Sequence, residues 1–306
     1  MSDKPVIGFI GVGFMGHGMA KNVLKGGYDL WIRGNRNRAP VEDLLAQGAQ
    51  EAASPKEIAE RCDIVHLCLS NSPQIEQVMR APDGILAGAR EGLIVIDAST
   101  SDPKSTLTLA AELSEKGGTM VDAPLGRTPK HAEEGALQTM LGCDAATLAI
   151  IQPVVECWAD TIQHMGPVGS GHKMKLLLNF VSLGNAALLA ETLVLGAKIG
   201  IPPTQVREVL TSSRQNSGFM QTFMQYTVDR DRDAHKFSIA NGSKDLRYVN
   251  AMAAEAGVMN VVAAAVRQYF IHAEAVGGQD DFVPMLTDHV ARLNGLDMEV
   301  EAAKGR

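Results

Sequence analysis

Three glycines constrain this chain more than any other feature. Gly11-Val-Gly13-Phe-Met-Gly16 has the spacing G-x-G-x-x-G, and it follows the short apolar run Val6–Ile10 directly. A helical pattern, Met15–Leu24, then runs until Gly26-Gly27 stops it. In a strand–turn–helix unit the first glycine makes the turn and the second lets backbone approach a pyrophosphate. The third allows the helix to pack close to the sheet. The N–H groups and positive dipole end of the new helix then favour phosphate. Gly11, Gly13, Phe14, Met15 and Gly16 are therefore candidates for holding a dinucleotide, with a merely tight turn as the plainer alternative.

The following residues repeat this unit. Tyr28–Ile32, Ile64–Leu69, Leu93–Asp97 and Thr119–Asp122 are apolar runs, separated by helical stretches such as Ala39–Gln47 and Pro103–Lys116. Strands alternating with helices argue for a parallel sheet, and continuous rather than alternating apolar runs fit strands covered on both faces. Beyond Gly166-Pro-Val-Gly-Ser-Gly171 the strand signal fades. Helical patterns span His172–Lys198, Thr204–Ser212, Gly218–Asp229, Ser243–Ala256, Asn260–Ala275 and Asp281–Leu293. At 306 residues the chain has room for about two domains. The fold class expected is α/β: a Rossmann-type, doubly wound, mostly parallel sheet over residues 1–165, followed by an all-helical domain over 166–306.

Composition narrows the partners. The 28 Lys and Arg against 35 Asp and Glu give a net charge of −7, so neither nucleic acid nor a membrane surface is expected. Leu176–Ala190 carries no charge, but it is shorter than the roughly 20 residues of a spanning helix and includes Asn179, Ser182 and Asn185. A buried helix fits better, and its length suggests a homodimer or homotetramer that covers it. Cys62, Cys68, Cys143 and Cys157 form no C-x-x-C pair and no zinc spacing, so they read as buried small hydrophobes and no metal is expected. The opening Met-Ser-Asp-Lys-Pro lacks the features of a signal peptide, which points to a cytoplasmic protein.

The turn after the second strand bears on which dinucleotide binds. NAD sites usually place an acid about 20 residues after the first glycine. Asp29 falls at the wrong end of its strand, whereas the far end reads Arg33-Gly-Asn35-Arg36-Asn-Arg38. Arginines without an acid suit a 2′-phosphate, so NADP is preferred, NAD remains open, and Asn35 and Arg36 are the candidate contacts.

Four ordered motifs give a family resemblance over essentially the whole chain. Gly8–Asn22, Asp122-Ala-Pro-Leu-Gly-Arg-Thr128 with Gly135-Ala-Leu137, Gly169-Ser-Gly-His-Lys-Met-Lys175 with Asn179, and Lys244-Asp-Leu246 resemble the β-hydroxyacid dehydrogenases related to 3-hydroxyisobutyrate dehydrogenase. The resemblance implies reversible, NAD(P)-dependent oxidation of a short 3-hydroxy acid to its semialdehyde. It implies that Lys175 is the general acid/base, that Lys244, Leu69, Ser70 and Thr100 lie beside the cofactor, and that Gly126, Arg127, Thr128, Asn179 and Ser182 meet the substrate. An ammonium suits this role, because negative charge develops on the carbonyl oxygen as hydride arrives. Lys244 could assist by lowering the pKa of Lys175. On a helix Lys175, Asn179 and Ser182 share one face. Lys173 reads as a surface charge and His172 as a first-turn residue without chemistry.

Two departures refine the resemblance. Gly126-Arg127-Thr128 replaces the commoner Ser-Gly-Gly and is similar to the segment in sulfolactaldehyde reductases; an arginine fork suits sulfonate, carboxylate or phosphate. Leu178 stands where the family usually has Asn or His. The substrates expected are therefore of the sulfolactaldehyde, succinate semialdehyde or tartronate semialdehyde type. The alternative is a cofactor-binding relative whose catalysis is lost or altered at Leu178. Decarboxylation of the 6-phosphogluconate type is disfavoured by the chain's length.

Overall fold

The apolar runs form a nine-stranded sheet in a computed structural model that describes residues 4–305. Met1–Asp3, on which the signal-peptide expectation partly rests, lie outside the described residues. Strands β1 (Ile7–Ile10), β2 (Leu30–Arg33), β3 (Gln50–Glu51), β4 (Ile64–Leu67), β5 (Ile94–Asp97) and β6 (Thr119–Asp122) run parallel in the order β3-β2-β1-β4-β5-β6. Chain order reverses beside β1, which is the topological switch that makes a ligand crevice at the carboxyl ends of such strands. Every residue of β1, β4 and β5 is buried, including the polar His66 and Asp97, as strands covered on both faces require. Four strands were not legible in the sequence. These are β3, β7 (Leu125–Gly126), β8 (Leu137–Gly142) and β9 (Ala159–Gly166); β8 is antiparallel to β6 and β7 and parallel to β9.

The crossover helices are α1 (Gly16–Lys25), α2 (Ala39–Ala46), α3 (Pro55–Arg61), α4 (Ser72–Arg80), α5 (Ile85–Gly88), α6 (Pro103–Ser114), α7 (Pro129–Glu134) and α8 (Ala145–Val155). Several start from a local cap. The side chains of Ser54, Asn71, Asp102 and Asp144 accept hydrogen bonds from the N–H groups of Glu57, Gln74, Lys104 and Thr147.

The helical part begins with α9 (Ser170–Lys198) and continues through α10 (Pro203–Ser212), α11 (Gly218–Asp229), α12 (Ile239–Glu255), α13 (Val261–Ala275), α14 (Leu286–Leu293) and α15 (Met298–Ala303). Leu183, Ala186, Ala190 and Leu193 of α9 enter a core with Phe223, Leu246 and Phe270. By length and composition α9 could cross a membrane, but 44% of its most apolar window is buried within the protein. The chain divides into compact units after Lys175, inside α9 rather than ahead of it as expected from the change in texture at Gly166. Hydrogen bonds from the first turn of α9 to the sheet, described below, explain the difference.

His66 of β4 is fully buried, stacks on Phe9 with ring centroids 5.2 Å apart, and meets the edge of Trp158 at 6.0 Å. Desolvation pushes its pKa down to about 3. The unfolded chain titrates this imidazole near 6.5, so His66 stability is complete above that pH and is lost as pH falls towards about 3. At about 1.4 kcal/mol per pH unit the loss amounts to a few kcal/mol by pH 4. Denaturant unfolding at pH 7 and pH 4 checks this. The drop shrinks in His66→Leu, and an equal drop in both proteins contradicts the assignment.

Candidate active site

Each glycine of the turn does a different job. Gly11 has φ +100°, and a Cβ there would lie 2.2 Å from the Cys68 carbonyl oxygen, so a side chain is excluded on both counts. At Gly16 a Cβ would sit 1.9 Å from the Gly11 oxygen. A Cβ on Gly13, by contrast, meets nothing within 4 Å. That open backbone is the cradle a pyrophosphate needs, so the turn fits a dinucleotide. Phe14 is 90% exposed, while Met15 packs partly against the core. The rest of the motif is packing: a Cβ at Gly18 would come within 2.5 Å of the Ala132 carbonyl carbon, and Asn22 Nδ2 donates to the oxygens of Gly18 and Ala132. These contacts seat α1 on α7.

At the far end of β2 the structure adds an acid that the sequence did not reveal. Glu51 of β3 accepts two bonds from Arg38, at 2.7 and 2.8 Å, and this guanidinium holds its carboxyl below the usual range. Arg38 and Glu51 thus neutralise each other. Asn35 and Arg36 are exposed beside them, and among the described residues Arg36 has no carboxylate partner. Positive charge therefore remains at the far end of β2.

The ends of β4, β5 and β6 carry buried polar groups. The Leu69 N–H donates to Ser99 Oγ at 2.9 Å, joining the Leu69–Ser70 segment to the loop that holds Thr100. Asp97, fully buried at the end of β5, accepts from the Ser99 N–H and the Ser101 hydroxyl. Asp122, fully buried at the end of β6, accepts from the N–H groups of Gly169 at 2.6 Å and His172 at 2.7 Å. It thereby caps α9 from across the sheet. His172 is also fully buried, with Nε2 donating to the Ser99 carbonyl at 3.1 Å and Nδ1 bonded to the Thr106 hydroxyl at 2.8 Å. His172 thus stands in the first turn of α9, as expected, and is bonded through both ring nitrogens. Lys175, half-buried, follows three residues later, and Lys173 is exposed.

The proposed substrate contacts are less open than the sequence suggested. Arg127, at φ +74°, spends its fork on the chain itself: Nη1 donates to the Ala136 carbonyl and, at 2.7 Å, to Asp160, while Nη2 reaches Thr161. An incoming oxyanion competes with a carboxylate already in place. Arg127 in turn lowers the Asp160 pKa through this bond. The Thr128 hydroxyl is bonded to His131 Nδ1 at 2.7 Å, and Gly126 lies buried in β7 beside Gln138. Asn179 Nδ2 donates to Asp245 at 2.6 Å, and Lys244 forms an ion pair with the same carboxylate at 3.1 Å. The polar face of α9 thus has a partner in α12, and Ser182 returns its hydroxyl to the Leu178 carbonyl. Asp97, Asp122, His172, Glu51 and Asp160 were missed as contributors. Only the two aspartates ending apolar strands gave a signal, because a buried carboxylate needs donors.

Comparison with known proteins agrees with this geometry. The family model described as the NAD binding domain of 6-phosphogluconate dehydrogenase matches residues 6–166. The model described as the NAD-binding domain of NADP-dependent 3-hydroxyisobutyrate dehydrogenase matches residues 169–287. The chain is 35% identical to 2-(hydroxymethyl)glutarate dehydrogenase of Eubacterium barkeri, covering 92% of this chain and 93% of the relative. It is 30% identical to the 3-sulfolactaldehyde reductase of Escherichia coli, over 92% and 94%. A crystal structure of a 3-hydroxyisobutyrate dehydrogenase from Salmonella typhimurium superposes with a TM-score of 0.81 at 26% identity, covering 92% of this chain and 98% of that one.

The glycine geometry separates folding from binding. Gly13→Ala is expected to melt close to the wild type yet bind NADPH about tenfold or more weakly, because its methyl points into open space. Gly16→Ala should lose several degrees of melting temperature to its clash with Gly11. Thermal melts and fluorescence titration with NADPH check both. Unchanged affinity in Gly13→Ala contradicts the assigned cradle.

Proposed function

The chain belongs to the β-hydroxyacid dehydrogenase family and is an NAD(P)-dependent oxidoreductase of 3-hydroxy acids, and from that premise we propose that it reduces short aldehydes bearing an acidic group, with NADPH as the preferred donor and Lys175 as the proton donor. The reaction is reversible, so the same site oxidises the matching hydroxy acid. Its main support is the continuity of one geometry, from an open glycine turn to a helix start, fixed on the sheet, that carries Lys175. The relatives support the substrate class, since the names of two of them specify a hydroxymethyl dicarboxylate and a sulfonated aldehyde.

When bound, the nicotinamide supplies the hydride. Gly11, Gly13 and Gly16 would hold the pyrophosphate, and Leu69, Ser70 and Thr100 would flank the ring. As the carbonyl carbon gains hydride, the π pair moves onto oxygen, and the Lys175 ammonium gives that oxygen a proton. In the other direction the neutral amine accepts the hydroxyl proton. The Asn179–Asp245–Lys244 chain orders the polar face of α9 beyond the lysine. The preference for NADPH rests on Arg36, which has no carboxylate partner among the described residues, beside an Arg38 that Glu51 occupies.

A second reading, cofactor binding without turnover, rests on Leu178, a 38% exposed leucine three residues after Lys175. It places an apolar group next to the lysine on the helix surface. Restored turnover in Leu178→Asn, starting from an inactive wild type, favours a site damaged at this residue. Tight NADPH binding without turnover in both proteins favours the second reading.

The exposed side of α9 supports self-association. Met174, Leu178, Val181, Leu188 and Leu195 recur at steps of three, four or seven residues and are each at least 38% exposed. Such spacing makes a seam for another helix. A homodimer or homotetramer of this chain is the proposed occupant.

Three measurements follow. Steady-state assays with NADPH and sulfolactaldehyde, succinate semialdehyde and tartronate semialdehyde should show turnover of at least one, and none with any of them contradicts the function. Lys175→Ala should lower kcat by about 10²–10⁴-fold, whereas full activity overturns the proton-donor role. Arg36→Ala should raise the KM for NADPH while sparing that for NADH, and equal effects on both remove the case for NADP.

A further inference from the structure

His172, three residues before Lys175, is fully buried within 4.0 Å of two fully buried carboxylates, Asp97 and Asp122, and proton transfer as described uses none of the three. We propose that Asp122 and His172 are positioning residues: together they fix the first turn of α9 to the strand ends and so set where Lys175 stands relative to the cofactor loops. This inference rests on the assignment of Lys175 as proton donor.

The cap is unlike the others in the molecule. Ser54, Asn71, Asp102, Asp144, Ser217, Ser238 and Asp297 each cap the helix that immediately follows them. A local cap satisfies orphan N–H groups but holds nothing in place beyond its own turn. The carboxylate that caps α9 comes from the end of β6, 47 residues from Gly169 and 50 from His172 in sequence. A charge-assisted pair of bonds of 2.6 and 2.7 Å to a fully buried carboxylate is short and directional, and it ties the helix to the sheet.

The surroundings are cut to admit that carboxylate. A Cβ at Gly142 would stand 2.2 Å from Asp122 Oδ1. One at Gly171 would stand 2.1 Å from the Met140 carbonyl oxygen and 2.9 Å from Asp122 Oδ2. Glycine at both positions lets strand, carboxylate and helix approach to hydrogen-bonding distance.

His172 supplies the second fixed point. Because the Ser99 carbonyl can only accept, Nε2 is the donor there, while Nδ1 is bonded to the Thr106 hydroxyl, which also donates to the Asp102 carbonyl oxygen. The hydroxyl of Ser99 receives the Leu69 N–H, so a single serine touches both the loop assigned to the cofactor and the helix of Lys175. Every residue of this network lies in the same compact unit as Lys175. Two attachments, one through the helix backbone and one through a side chain, define both the height and the rotation of the first turn.

The test compares wild type with Asp122→Asn, His172→Leu, His172→Gln and Thr106→Val, using NADPH, its 4-deuterated form and the three aldehydes named above. Misplacement of a reacting group by about 1 Å costs about 10²-fold. Asp122→Asn and His172→Leu should therefore lose kcat on about that scale. The Kd for NADPH and the substrate KM should stay within about threefold, and the primary deuterium isotope effect should grow as proton and hydride transfer become limiting. His172→Gln, whose amide N–H reaches the Ser99 carbonyl, should recover most of the loss, and Thr106→Val should lie between. Unchanged kcat and isotope effect in His172→Leu overturn the proposal. So do losses in kcat matched by equal losses in NADPH affinity, which mark general damage. If Asp122→Asn does not fold, His172→Leu and Thr106→Val decide by the same criteria.

A wild type without turnover defeats the proton-donor assignment by itself. The positioning claim is then judged by amine acetylation followed by mass spectrometry. The labelling rate of Lys175 relative to exposed Lys173 should change at least about threefold in His172→Leu if the turn moves, since amine reactivity follows its environment; an identical ratio overturns the claim.

Discussion

One buried carboxylate ties the start of the helical part to the sheet. Asp122 sits at the carboxyl end of β6 and receives the N–H groups of Gly169 and His172, so the longest helix of the molecule starts from the sheet rather than from a free loop. An unpaired carboxylate at full burial costs several kcal/mol, and two unsatisfied helix N–H groups cost more. Each therefore demands the other, and the bond pattern explains why the compact nucleotide-binding unit ends after Lys175 instead of at Gly166.

The division of labour among glycines follows the same logic of close approach. Gly11 and Gly16 are excluded from carrying side chains by the chain's own atoms, whereas a Cβ on Gly13 would meet nothing within 4 Å. Gly18, Gly142 and Gly171 extend the pattern: each lets two pieces of backbone or a carboxylate meet where a Cβ would collide. The glycines thus combine open backbone with close packing, and their spacing alone does not separate the two.

Much of the fold was legible because it rests on local signals. The parallel strands β1, β2, β4, β5 and β6 and the long helices match apolar runs and stop signals to within a few residues. Strands β3, β7, β8 and β9 were not, since two-residue β3 and β7 and half-exposed β9 carry no apolar run and gain their pairing from tertiary contact. The site was legible in part. The tight turn at Gly11 and Gly16 and the open backbone at Gly13 follow from motif and context. The partner of Arg127 could not be read, because Asp160 is 33 residues away and nothing in the spacing links them. The same holds for Asn179 and Asp245, and for His172, whose burial depends on strand ends far earlier in the chain. Long-range pairing decides whether a polar residue faces a ligand or the protein itself.

The central claim, that the Asp122 carboxylate fixes the start of α9, is tested most directly by amide hydrogen exchange at Gly169 and His172 in the full chain. Two short bonds to a buried acceptor predict exchange slowed by at least about 10³-fold relative to an open peptide, with protection falling selectively in Asp122→Asn. Exchange at the open-peptide rate for either amide in the wild type, or equal protection in both proteins, contradicts it.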